Sequence, residues 1–162
     1  MSHYLSIDEI LQIAVQIEEN GARFYAEAAR TVKDSSAGET FFKLSEFEKE
    51  HKKYFLFLKD NLTQVERETT TYDPYGESMQ YLADIANNAV SGFKSPDKML
   101  KKPALNDIIK SSIDMEKESI VFYTGLRQII SDKSGKEKLE GTLEAQVWIG
   151  CKARRISIAF AM

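Results

Sequence analysis

Apolar residues recur at steps of three and four along three long stretches that contain no proline. The first row runs Ile7, Leu11, Ala14, Glu18, Gly21, Tyr25, Ala28. The second runs Phe41, Leu44, Glu48, His51, Phe55, Leu58, Leu62, and the third Leu105, Ile109, Ser112, Glu116, Ser119, Tyr123, Leu126. At 3.6 residues per turn each row lies on one side of a helix, so the pattern predicts helices over about 7–33, 37–62 and 104–131. A fourth is predicted over 135–160, with the row Leu139, Thr142, Gln146, Ile149, Ala153, Ile156, Phe160. Capping boxes mark three of the starts: Ser6 with Glu9, Ser36 with Glu39 and Ser134 with Glu137. The connections from first to second helix and from third to fourth are short. Between the second and third lies a long segment, polar and β-branched from Thr63 to Tyr75, with a short helix expected over 77–90 and the run SPDKMLKKP near its end. The expected fold is all-α, an up-down four-helix bundle with one long crossover between helices 2 and 3.

Composition narrows the functional classes. A length of 162 residues suits a single domain over 1–162. Eight glycines and three prolines are too few turn formers for a β-sandwich or barrel. The one cysteine, Cys151, excludes an intramolecular disulfide framework and any cysteine-rich metal site within these residues. A net charge of −3 argues against nucleic acid as a partner. No run approaches the ~18 apolar residues of a membrane span. The opening MSHYLSIDEI has neither a basic nor an apolar leader region, so a cytoplasmic location is expected.

The chain also repeats itself. A shift of 98 positions carries Glu18 onto Glu116, Tyr25 onto Tyr123, Phe24 onto Phe122, Ile10 onto Ile108, Ser36 onto Ser134 and Glu39 onto Glu137. Two helical hairpins related by pseudo-symmetry account for this. Three glutamates and one histidine fall on the apolar rows, where a carboxylate is rarely tolerated unless paired. Glu18, Glu48 and Glu116 are expected at one level of the bundle, repelling one another. A divalent cation resolves both costs, and carboxylate oxygens with an imidazole suit iron or manganese, and zinc less diagnostically. Glu48 and His51, three residues apart, share one helix face. The bland reading of the set is a buried polar network without metal.

The segments IEENGARFY (Ile17 to Tyr25), FEKEH (Phe47 to His51) and MEKESIVFY (Met115 to Tyr123) resemble the rubrerythrin and ferritin-like di-iron carboxylate family over the helical parts of residues 5–130. That family takes one Glu from each of two helices and a Glu-x-x-His from each of the other two. The resemblance implies a ferritin-like bundle with Glu18 and Glu116 as single-Glu ligands, Glu48 as a bridging ligand and His51 as a terminal one. It implies a non-haem iron protein, di-iron where the site is complete, acting as an oxidoreductase on peroxide or dioxygen. It implies a homodimer as well. Rubrerythrins proper carry a rubredoxin-like domain that supplies electrons; with one cysteine, this chain needs a separate electron donor. In the family a Tyr seven positions after the Glu commonly lies near the metals, although core aromatics with hydrogen-bonded hydroxyls are the simpler reading of Tyr25 and Tyr123.

The fourth helix departs from the pattern. The same shift places Gln146 where Glu48 would repeat and Ile149 where His51 would. The chain is atypical from about 141, through either divergence to a half-site or a shift of reading frame after about Glu140. A competing function follows: a degenerate, metal-poor bundle serving as an assembly or interaction module, with the apolar end ISIAFAM as a contact. Glu46, Lys49, Glu50 and Lys53 are read as a solvated helix face.

Overall fold

A computed structural model describes residues 6–64, 67 and 104–129. The expected fourth helix, the short helix over 77–90, the Ser134 cap, and residues His3, Gln146, Ile149 and Cys151 lie outside the described residues. Among the described residues there are three helices: α1 (Ile7–Thr31), α2 (Ser35–Asp60) and α3 (Leu105–Ile129). Among the described residues there is no strand.

The first cap forms as predicted. Glu9 N–H donates to Ser6 Oγ at 3.2 Å, and Ser6 N–H donates to Glu9 Oε2 at 2.7 Å. α1 stops where Val32 turns extended, and residues 32–34 reverse the chain into α2. The second cap corrects the sequence reading. Asp34, not Ser36, caps α2, its Oδ1 accepting from Ala37 N–H at 2.7 Å. A carboxylate there gains the hydrogen bond and the favourable end of the helix dipole together, so the helix starts two residues early. Ser36 is then exposed inside the first turn, and Glu39 pairs with Lys43 instead.

α1 and α2 form an antiparallel hairpin, and α3 lies antiparallel to α1. Its direction follows from two contacts: Glu18 meets Tyr123, while Tyr25 meets Glu116. The predicted rows are the interior rows. Leu11, Ala14, Glu18, Gly21, Tyr25 and Ala28 are buried on α1, as are Ile109, Ser112, Glu116, Ser119, Tyr123 and Leu126 on α3. α2 buries Phe41, Leu44, Glu48 and Phe55. α1 and α3 also bury a second stripe: Ile10, Ile17 and Phe24 on one, Ile108, Met115 and Phe122 on the other. Each fully buried aromatic contributes roughly 1.5–3 kcal/mol. The outer face of α2 is solvated as read, with Lys49–Glu46 and Lys53–Glu50 pairs both at 2.6 Å. At the open end of the hairpin, Asp8 receives both Lys59 and Arg67, at 3.2 and 2.6 Å.

Candidate metal centre

Glu48 stands at the middle of α2's interior row, with Phe41 two turns before it and Phe55 two turns after. Phe41 stacks on Tyr25 with ring centroids 6.2 Å apart, and Phe55 stacks on Tyr123 at 5.0 Å. These two aromatic layers close the level of Glu48 above and below. Gly21 opens it sideways. A Cβ at Gly21 would stand 3.3 Å from Glu48 Cδ and 3.4 Å from Cγ, so only glycine gives the carboxylate its full room. Beside it, Ser45 Oγ donates to the Ala22 carbonyl at 2.9 Å and fixes the close approach of the two helices.

All four residues expected to form the site meet at this level. His51 Nδ1 lies 3.2 Å from Glu18 Oε2 and 3.5 Å from Glu48 Oε2. Donors bonded at about 2.1 Å to one ion stand roughly 3.0–3.5 Å apart, so these separations fit a shared cation. Glu18, Glu48 and His51 can hold a metal ion. Glu18 and Glu48 are buried, while the His51 side chain is 12% exposed, the edge of the cluster nearest water. Glu116 faces Glu48 from the α3 side and interacts with it through hydrogen bonding. Among the described residues Glu116 Oε2 is buried with no conventional hydrogen-bond partner.

The two tyrosines bind the glutamates crosswise. Tyr123 of α3 donates to Glu18 Oε1 on α1, and Tyr25 of α1 donates to Glu116 Oε1 on α3, the latter at 2.5 Å. The shift of 98 positions that relates the hairpins exchanges these two bonds, so the sequence repeat is also a repeat of contacts. Both hydroxyls are pushed well above the usual phenol range, by burial first and by the surrounding carboxylates next. They therefore remain donors across the physiological range.

The carboxylates differ. Burial would raise Glu18, but hydrogen bonding with Glu48, His51 and Tyr123 outweighs it and holds Glu18 below the ordinary carboxylate range. Burial dominates at Glu116, the Glu18 charge adds to it, and the Tyr25 bond compensates only in part; its pKa rises to about 8.

The profile of the Rubrerythrin family matches residues 9–145. The chain belongs to the Rubrerythrin family. The match ends one residue before Gln146, where the repeat first loses a ligand type. Among solved structures, the chain is similar in fold to a Thermotoga maritima protein titled as a ferritin-like diiron-carboxylate protein. The TM-score is 0.72 at 20% identity, covering 96% of this chain and 97% of that one. The fold is therefore all-α, as the apolar rows predict, and ferritin-like, as the resemblance implies. No curated protein matches the sequence. No helix among the described residues is long and apolar enough to cross a membrane.

The role of Gly21 and the acceptors of the two tyrosine hydroxyls are not apparent from sequence. Gly21 lay on the interior row, but nothing linked it to Glu48; the signal was a glycine one turn after a buried glutamate. The tyrosines were placed in the core with bonded hydroxyls, and their acceptors are the opposite helix's candidate ligands.

Proposed function

We propose that this Rubrerythrin-family chain is a non-haem iron protein whose iron is held at the cluster of Glu18, Glu48, His51 and Glu116, and that it acts as an oxidoreductase on peroxide or dioxygen. The observation that carries the reading is the convergence of Glu18, Glu48 and His51 from two helices at donor separations of 3.2 and 3.5 Å, in a layer closed by aromatic rings. Two buried carboxylates beside an imidazole are costly without a cation, and the donor set suits iron, with manganese or zinc as competitors. Membership of the family and the likeness to a diiron-carboxylate protein support iron in particular.

Bound iron supplies an electron and a Lewis acid next to these side chains. The residues do the rest. Glu48 and His51 present two donors from one helix face, and Gly21 leaves the room that the Glu48 carboxylate occupies. Tyr123 holds Glu18 in orientation, as outer-shell partners of ligands do. Tyr25 does the same for Glu116, whose carboxyl is pushed up to about 8 by burial when no metal is bound. Phe41, Phe55 and the tyrosine rings exclude water. One cysteine cannot form a cysteine-ligated electron relay within these 162 residues, so the reading includes an electron donor outside them. The chain works as a single domain in a cytoplasmic homodimer.

Iron, manganese and zinc per chain are measured after purification without chelators and again after anaerobic Fe(II) loading. Iron uptake, followed by peroxide-dependent oxidation of the bound iron, is the expected result. Absence of all three metals and of any uptake overturns the reading.

A further inference from the structure

We propose that this chain holds one divalent metal ion, in the half of the centre formed by Glu18, Glu48 and His51, and that the Glu116 half holds none. The inference rests on the metal-binding reading above and fixes how many ions that reading entails. The donor count differs sharply between the halves. On the α1–α2 side three side chains converge, two of them chelating from adjacent turns of α2. On the α3 side the described residues offer Glu116 alone, with Tyr25 bonded to its Oε1 as Tyr123 is to Oε1 of Glu18. The positions that repeat Glu48 and His51 are occupied by Gln146 and Ile149, a neutral amide and a hydrocarbon. One carboxylate and a share of Glu48 do not retain a divalent ion against water.

The backbone carries the same asymmetry. Gly21 leaves the space that the Glu48 carboxylate fills, and a Cβ there would press on it at 3.3 Å. The residue related to Gly21 by the repeat is Ser119, buried on α3 and carrying a Cβ and a hydroxyl. The hollow that accommodates a Glu from the neighbouring helix is therefore cut into α1 and not into α3. Ligand types and the space for them are lost together on one side of the pseudo-symmetry axis.

The full chain, loaded anaerobically with Fe(II) and desalted, is assayed for iron per chain. After oxidation it is examined by electron paramagnetic resonance. One equivalent is expected, with the signal of an isolated high-spin ferric ion integrating to one spin per chain. The loss of affinity in His51→Ala is expected to exceed that in Glu116→Gln by at least about tenfold. The double substitution Gln146→Glu with Ile149→His, checked for helicity by circular dichroism, is expected to raise uptake toward two equivalents. Two equivalents with a coupled, resonance-silent pair in the unaltered chain overturn the inference and leave the metal-binding reading standing. A greater loss in Glu116→Gln than in His51→Ala overturns it too. No uptake under any condition overturns both.

Discussion

α1 and α3 present the same groups in the same order, a glutamate and, seven residues later, a tyrosine that reaches across to the other helix's glutamate. Both carboxyls are buried and each accepts from a tyrosine hydroxyl. Their protonation nevertheless diverges, Glu18 held low and Glu116 raised to about 8. The glutamate–tyrosine pair cannot be the cause, because both helices carry it at the same spacing. The difference lies in what the neighbouring groups contribute: Glu48 reaches both carboxyls, but only Glu18 has His51 beside it, whereas Glu116 feels the Glu18 charge and keeps an oxygen without a conventional hydrogen-bond partner among the described residues. Two copies of one local design become chemically distinct through their third neighbour.

The largest test of that contrast is the pH dependence of stability in metal-free protein. Glu116, raised when folded, binds a proton between its ordinary pKa and about 8 that the unfolded chain does not bind. Its contribution is complete below the unfolded value and is lost as pH rises toward 8, with a slope of up to about 1.4 kcal/mol per pH unit. Glu18, lowered when folded, contributes above its ordinary pKa and loses that contribution as the solution is acidified through its native value. Urea unfolding across pH 4–9 should therefore show greatest stability in weakly acidic solution, and Glu116→Gln should flatten the alkaline decline. An unchanged decline in that variant would break the contrast.

Removing the tyrosine hydroxyls separates the two sides next. At pH 7 Tyr123→Phe strips a hydrogen bond from an ionised carboxylate, about 1.5–3 kcal/mol, whereas Tyr25→Phe strips one from a protonated carboxyl, about 0.5–1.5 kcal/mol. Denaturant midpoints of the two variants should fall in that order, and equal losses would show that the glutamates share one state. Asp34→Ala should cost about 1 kcal/mol in thermal unfolding, against a few tenths for Ser36→Ala, since only the first side chain caps α2. The smallest change in stability belongs to Gly21→Ala. Its gain in helix propensity of about 0.8–1.0 kcal/mol is opposed by the 3.3 Å contact with Glu48, leaving stability within about 0.5 kcal/mol. Metal affinity in that variant should nonetheless fall about tenfold, read by competition with a chromogenic chelator.

Much of this was legible because a helix converts spacing into direction. Steps of three and four place Glu18, Glu48, His51 and Glu116 on interior rows, and the shift of 98 positions brings Glu18 and Glu116 into register. What spacing could not give was pairing across helices. Tyr25 and Tyr123 were assigned to the core, but that each would bond to the other helix's glutamate depends on α1 and α3 running antiparallel at one exact stagger. Gly21 had the same obscurity, since the residue it makes room for comes from α2. The Ser36 cap failed for a local reason: Asp34, Ser35 and Ser36 all have capping side chains, and the charged one won. The second buried stripe, Ile17 and Met115 included, exceeds a single row because each of these helices faces more than one neighbour.

The three-residue turn at 32–34 has a consequence for the order in which the molecule assembles. It lets α1 and α2 meet at almost no cost in chain entropy, whereas Glu18 and Tyr123 are 105 residues apart and must wait for a large loop to close. Until α3 arrives, the hairpin displays two acidic side chains on its otherwise apolar inner face, exposed to water and free of the desolvation cost they later bear. The cost of confining those charges thus falls on the final docking step, where Tyr123, whose hydroxyl donates to Glu18, arrives on α3.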